Sequence, residues 1–264
     1  MQMKSARNSE TKYLNVFNSF LKKELETEFN VSMFVEVNLS AFEELRKKIQ
    51  SPVKLSYTAL VAKAIATALK EHPCCHRRVV KKWFGLGLRF ESFDDCDIAI
   101  AVEKSDLHNV AYLEIVRKVE NKGLQTLTEE IRSFLTRESS PSEENAQWAA
   151  MDKLVQRFPV WIALRLLSLP FFFPKLWRRY RGSSVLISSP GKYGADIISA
   201  TWSSPIGFSY GYVKKRPFVV DGQLVAVMTV HLTMSFDRRV IGGGPAGRFL
   251  NRVRELMESP ENLL

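Results

Sequence analysis

Four histidines, His72, His76, His108 and His231, are the side chains of this 264-residue chain whose unshifted pKa suits proton transfer near neutrality. Any one histidine is more often a surface or hydrogen-bonded core residue than a base. Cys74, Cys75 and Cys96 have neither the spacing of a disulfide framework nor that of a metal site. They point to a reducing compartment, so a cytoplasmic protein without a metal is expected. The run Gly242-Gly243-Gly244 lacks the lysine and serine of a phosphate loop and the spacing of a dinucleotide fold, and reads as a flexible turn before a helix.

The charge is lopsided, with 38 basic and 28 acidic residues and a net +10. This suits an anionic partner: nucleic acid, an acidic protein, a membrane surface or a phosphorylated ligand. The basic residues are scattered, so a merely basic solvated surface explains them too. No nucleic-acid recognition motif is present, and nucleic acid is not expected. Hydrophobic residues are 45% and charged residues 25% of the chain, an ordinary globular composition. Met1 to Lys12 is polar and no secretory apolar core follows it. Phe158 to Phe173 is interrupted by Pro159, Arg165 and Pro170, too short and broken for a span of roughly 20 apolar residues.

The elements that must position any site follow from periodicity. Met33 to Leu39 alternates as a strand. Ser40 and Glu43 form an S-x-x-E capping box opening a helix. Ser56 to Lys70 carries Leu60, Val61, Ala64, Ile65, Ala68 and Leu69 on one buried face and ends before His72-Pro73. Asp97 to Val102 and Ala111 to Val116 read as strands, and Thr126 with Glu129 as a second capping box for a helix to about Arg137. Glu138 to Glu144 is a polar loop. Trp148 to Arg181 is apolar and aromatic beside Lys175, Arg178, Arg179 and Arg181, and reads as one or two short helices broken at Pro159, Pro170 and Pro174. Strands follow over Ser184 to Ser188, Ile206 to Val213 and Leu224 to Phe236, the last two joined through the Asp221-Gly222 turn. Pro245 opens a final helix. The class is α/β with a mixed sheet and flanking helices.

Five segments in this order resemble the catalytic domain of the 2-oxoacid dehydrogenase acyltransferases. Met33 to Arg46 resembles F-x-V-E-V-N-L-S-x-F-E-E-L-R, and the helix ending at His72-Pro73 resembles A-x-A-x-A-L-x-x-x-P. Asp97 to Val102 resembles D-I-x-x-A-V, Ile187 to Gly194 resembles I-S-N-L-G-x-x-G, and Asp237 to Phe249 resembles D-H-R-V-x-D-G-x-x-x-x-x-F. The resemblance covers residues 30 to 264 except about 141 to 182, an atypical apolar and basic insertion, and leaves 1 to 29 as an N-terminal extension. It implies a chloramphenicol acetyltransferase-like fold and a homotrimer with sites at subunit boundaries. A channel there admits a coenzyme A thioester from one end and an acyl acceptor from the other. The expected organisation is one catalytic-type domain over 1 to 264, with no lipoyl domain, no subunit-binding domain and so no covalently bound lipoate. An acyl-carrier or dehydrogenase-complex-like protein is the implied partner, and residues 158 to 181 suit a membrane surface.

Acyl transfer between thioesters needs a base for the attacking thiol and a donor for the tetrahedral oxyanion. The resemblance places the oxyanion donor at Ser188, which could equally be a turn serine bonded to local backbone. It places the base at Arg238 and the loop-shaping Asp or Asn at Gly242. Arginine stays protonated in proteins and cannot serve as that base. Arg238 suits recognition of a carboxylate, a phosphate or an oxyanion, or an ion pair with Asp237 or another acid. Asp237 and Arg239 are the flanking candidates for substrate binding, and His76 and His231 are the candidates to replace the base. Three readings stay open: a thioester-binding acyltransferase with altered machinery, a catalytically silent trimeric scaffold or partner subunit, and a repurposed biosynthetic enzyme acting on an anionic substrate.

Overall fold

The computed structural model describes residues 29–49, 53–81, 88–103, 111–136, 157–202 and 204–264. The readings made for His108, for residues 1–28 of the 1–29 extension, for Glu138 to Glu144 and for Trp148 fall outside the described residues.

The strands are β1 (Asn30–Asn38), β2 (Arg77–Lys81), β3 (Leu88–Ser92), β4 (Ile98–Glu103), β5 (Ala111–Val116), β6 (Val185–Ser188), β7 (Ile206–Tyr210), β8 (Lys214–Val220) and β9 (Gln223–Asp237). The helices are α1 (Ser40–Lys48), α2 (Tyr57–Glu71), α3 (Leu124–Thr136), α4 (Val160–Leu167), α5 (Leu169–Phe172), α6 (Pro174–Arg181) and α7 (Gly243–Glu258). A mixed seven-stranded sheet runs β1-β9-β7-β6-β4-β5, with β8 also on β9, and β2 and β3 form a separate ribbon. The β4–β6 and β6–β7 pairs are parallel and the others antiparallel.

One face of the sheet is the core face. Val37, Ile98, Ile100, Val185, Ile187, Ile206, Phe208, Val230, Leu232, Met234 and Phe236 are buried at two-residue intervals and pack with the apolar faces of α2 and α7. Phe249 of α7 meets Phe208 edge-on at 6.0 Å between ring centres. The alternate residues, Ser32, Gly207, Ser209, His231, Thr233 and Ser235, share the opposite face, which is polar. There Trp202 lies against Gly207 so closely that a Cβ on residue 207 would stand 1.7 Å from the indole.

Several local expectations are corrected. Ser40 is the first residue of α1 rather than its cap, and its amide is held by Asn38 Oδ1 at 2.9 Å. Glu43 turns instead to the Tyr57 hydroxyl and Arg46. α3 starts at Leu124, so Thr126 and Glu129 sit inside it and cap nothing. Ser56 is a true cap of α2, accepting from Thr58 N at 3.1 Å. Pro159, Pro170 and Pro174 start helices rather than break them, because a first-turn residue needs no amide donor. β8 was not anticipated. The Asp221-Gly222 turn joins β8 to β9, with Asp221 at φ 50 and Gly222 at φ 78.

Candidate active site

Ser188 closes β6, where the chain leaves the sheet. Val185 and Ile187 point into the core, so Ser188 stands on the polar face with its Cα paired to Ser209. The next residues turn through Pro190–Tyr193. This turn lies tight against the end of β7: a Cβ at Gly191 would come within 2.5 Å of the Gly211 backbone, so the close approach requires glycine. The local backbone bond expected of a turn serine is made by Ser189, whose hydroxyl donates to the Tyr210 carbonyl at 2.9 Å. Ser188 Oγ has no such bond among the described residues, and its side chain is partly exposed.

That hydroxyl lies on the wall of a cavity of about 640 Å³. Ile100, Val102, Ile131 and Val213 give the cavity apolar walls, and Tyr57, Thr58, Lys192 and Tyr210 give it polar points. The Tyr210 hydroxyl bonds Thr58 Oγ1 at 2.5 Å. Burial pushes its pKa up, with the Thr58 and Ser189 hydroxyls opposing, so it stays neutral. Tyr57 is pushed up to about 12 by burial and by donating to the Glu43 carboxylate. The sequence reading missed Tyr57, Thr58 and Tyr210. The only local signal was the cap at Ser56, which fixes the first turn of α2 beside the cavity.

The loop after β9 is built by different contacts. Asp237 is buried, and Arg239, not Arg238, is its partner: Nη2 meets Oδ2 at 2.6 Å, Nε reaches both oxygens, and the Arg239 amide donates to Oδ1. The expected ion pair between Arg238 and Asp237 is therefore corrected. Two residues on, the turn brings a guanidinium back over the carboxylate, whereas the adjacent residue is carried outward. Arg77 of β2 ties the loop from outside, donating to the Val240 carbonyl at 2.7 and 3.2 Å. Nothing in the sequence marked it for this. Arg238 is exposed, its amide bound to Phe29 O at 2.8 Å, and its guanidinium has no acidic partner among the described residues. Gly242 is the N-cap of α7, extended at φ −78 and ψ 165. Asp237 and Arg239, the candidates for substrate binding, are thus bonded to one another.

The strand register shows how far apart the two loops lie. Ser188 pairs with Ser209, and Ser209 with Thr233. From Thr233, β9 runs four more residues to Asp237, roughly 13 Å along the strand and two strand spacings, roughly 10 Å, across from Ser188. Within one protomer the two loops sit at opposite ends of the sheet.

The histidines are placed differently. His76 is buried, with Nδ1 2.9 Å from Ser184 Oγ and Nε2 3.0 Å from the Asp95 carbonyl, so both ring nitrogens are engaged away from the cavity. Burial lowers its pKa. His231 shares the polar face with Ser188, and its Nδ1 is buried without a hydrogen-bond partner. Neither histidine lines the cavity. Burial raises the thiols of Cys75 and Cys96 to about 12, which keeps them unreactive. No three metal-ligating side chains come together among the described residues.

Comparison with known proteins gives this geometry a context. Residues 11–146 and 178–264 match the model of the 2-oxoacid dehydrogenases acyltransferase (catalytic domain). A Bartonella vinsonii subsp. berkhoffii protein, the dihydrolipoyllysine-residue succinyltransferase component of the 2-oxoglutarate dehydrogenase complex, is 25% identical over 275 residues, covering 100% of this chain and 56% of that protein. The chain spans about half the length of the curated relatives it matches. A probable dihydrolipoamide acetyltransferase from Listeria monocytogenes superposes with a TM-score of 0.68 at 18% identity, over 93% of this chain and 91% of that one. A chloramphenicol acetyltransferase superposes at 0.50 and 14% identity, over 93% and 94%. The fold is the mixed α/β architecture that these proteins share.

Proposed function

This chain belongs to the family of 2-oxoacid dehydrogenase acyltransferase catalytic domains, and from that premise we propose that it binds a coenzyme A or carrier thioester and transfers its acyl group without a histidine base. One observation carries this reading. Among the described residues, the Ser188 hydroxyl has no hydrogen-bond partner on its cavity wall and the exposed Arg238 has no acidic partner at the far end of the same sheet. In the homotrimer that the resemblance implies, with sites at subunit boundaries, Arg238 of one copy would face the Ser188 cavity of the next.

Each group then has defined work. A free thiol has a pKa near 8.5, so only a few per cent is thiolate at neutral pH, and an adjacent guanidinium raises that share. The thiolate attacks the thioester carbonyl carbon; a C–S bond forms and the π pair moves to oxygen. Ser188 donates a hydrogen bond to that oxyanion. Collapse reforms the carbonyl and expels the donor thiolate. Arg238 keeps its proton throughout and acts only by charge. Lys192, on the same wall, supplies positive charge for a phosphorylated donor such as coenzyme A. The donor's acyl group would arrive on coenzyme A or on an acyl-carrier or dehydrogenase-complex-like protein.

The test is the pH dependence of acyl exchange between acetyl-coenzyme A and dihydrolipoamide. Without a base on the protein, the rate should rise about tenfold per pH unit below the thiol pKa. Arg238→Ala should slow exchange by roughly 10- to 100-fold through loss of thiolate stabilisation. A second reading, a catalytically silent trimeric scaffold or partner subunit, is favoured by the absence of any histidine from the cavity wall among the described residues. It takes over if acetyl-coenzyme A binds but no exchange occurs at any pH.

A further inference from the structure

The cavity beside Ser188 has two unlike ends. Its mouth carries Lys192 and Tyr193, both exposed, with the Lys192 ammonium 4.7 Å over the Tyr193 ring. Its inner end is apolar. β6 stops at Ser188, whereas β4, paired to it through Ile100 and Ile187, runs on to Glu103. Val102 therefore lies past the end of β6, and the cavity reaches beyond that strand end to Ile100, Val102 and, from α3, Ile131. Ile100 and Val102 share one face of β4 and lie roughly 7 Å apart along the strand. Together with Ile131 they form a buried aliphatic wall.

The polar groups bordering this wall already have partners. The Tyr57 hydroxyl donates to Glu43 at 2.5 Å and accepts from Arg46 at 2.6 Å. The Thr58 and Tyr210 hydroxyls bond each other. The Arg46 guanidinium, 4.3 Å over the Tyr57 ring, is ion-paired with Glu43 at 2.6 Å. Among the described residues, no cation lines the inner end of the cavity, and Lys192 at the mouth is the one cation on its wall.

We propose that this inner end is an acyl pocket for an uncharged aliphatic chain longer than acetyl, and that it rejects an acyl group ending in a carboxylate. The inference rests on the acyl-transfer reading, which orients the thioester. With the carbonyl oxygen at Ser188 and the phosphorylated carrier at Lys192, the acyl chain is the part that points inward. There each methylene leaves water for the Ile100, Val102 and Ile131 side chains. A terminal carboxylate would be buried without a counter-charge, because Arg46 is held by Glu43 and Glu43 itself adds negative charge behind Tyr57.

The experiment is calorimetric binding of acetyl-, butyryl-, hexanoyl- and succinyl-coenzyme A to the full chain, with exchange onto dihydrolipoamide assayed in parallel. Affinity should rise roughly fourfold per methylene, or roughly 200-fold from acetyl to hexanoyl. Butyryl-coenzyme A should bind roughly 100-fold more tightly than succinyl-coenzyme A, which differs at the far end of the chain by its carboxylate. Val102→Phe fills the inner end and should cut the hexanoyl preference to roughly fivefold or less. Ile131→Ala enlarges the pocket instead and should carry the rise on to octanoyl-coenzyme A, which tests the same wall if the phenylalanine variant does not fold. A flat series overturns the proposal, as does succinyl-coenzyme A binding as tightly as butyryl-coenzyme A. So does a folded Val102→Phe variant with its preference unchanged, since the chain would then lie elsewhere. A flat series with exchange intact removes the acyl pocket and leaves transfer standing. A rising series without exchange at any pH removes transfer and leaves the pocket standing.

Discussion

The two loops of the candidate site are built on different plans. At Ser188 the surroundings are committed and the side chain is free: Ser189 takes the backbone bond, Gly191 takes the tight approach, and the Ser188 hydroxyl is left to the cavity. At the end of β9 the motif is split. Asp237 and Arg239 hold the turn by bonding each other, while the side chain at position 238, to which the motif resemblance assigns the base, is exposed and takes no part in that bonding. A loop of this kind can exchange its chemical residue without loss of shape, because the shape is made by its neighbours.

The comparison breaks most readily at Asp237. Asp237→Ala leaves Arg239 without its carboxylate and should cost about 3 kcal/mol in urea unfolding. A cost within experimental error would mean that Asp237 does not hold the loop. Next comes the serine pair. Ser188→Ala should slow exchange by roughly 100-fold while changing stability by less than about 0.5 kcal/mol. Ser189→Ala should do the reverse, with about 1 kcal/mol of stability lost and transfer nearly intact. If both act alike, the division of labour between the two serines is wrong.

A smaller effect concerns His76, assigned here to structure. Burial lowers its pKa below the ordinary value of 6.5. The unfolded chain then takes up the proton more readily than the folded one. The stability from neutral His76 is fully present above about pH 6.5 and is lost as pH falls through the lower folded pKa. The melting temperature should therefore decline on the acid side of pH 6.5, and His76→Gln should flatten that decline. A decline of the same size in the variant would assign the effect to other groups.

Much of this fold was legible. The apolar face of Ser56 to Lys70 located α2 within a residue at each end, because a fully buried helix leaves a dense periodic record. β8 escaped because Lys214 to Val220 pairs only with β9 and is largely exposed. It therefore has no buried alternation to read and can carry Pro217. Both capping boxes matched the S/T-x-x-E pattern but not the chain: Asn38 Oδ1 accepts the amide of Ser40, the first residue of one helix, and the other helix begins before its candidate cap. Of the site, Ser188 and the position of Arg238 could be named from the motifs. Three features could not, because each depends on contacts distant in sequence: the pairing of Asp237 with Arg239, the Arg77 tie, and the opposite-end placement that register alone reveals.

The most direct test of the central claim compares acyl exchange between acetyl-coenzyme A and dihydrolipoamide in the native chain and in Arg238→His with Gly242→Asp. If Arg238 acts by charge in a retained site, the native chain turns over with a rate that climbs with pH. The double variant, given a base, should exchange faster at neutral pH by roughly two orders of magnitude and lose that steep dependence. If the native chain is inactive at every pH while the double variant turns over, the site is intact but Arg238 does not support transfer, and the claim is contradicted.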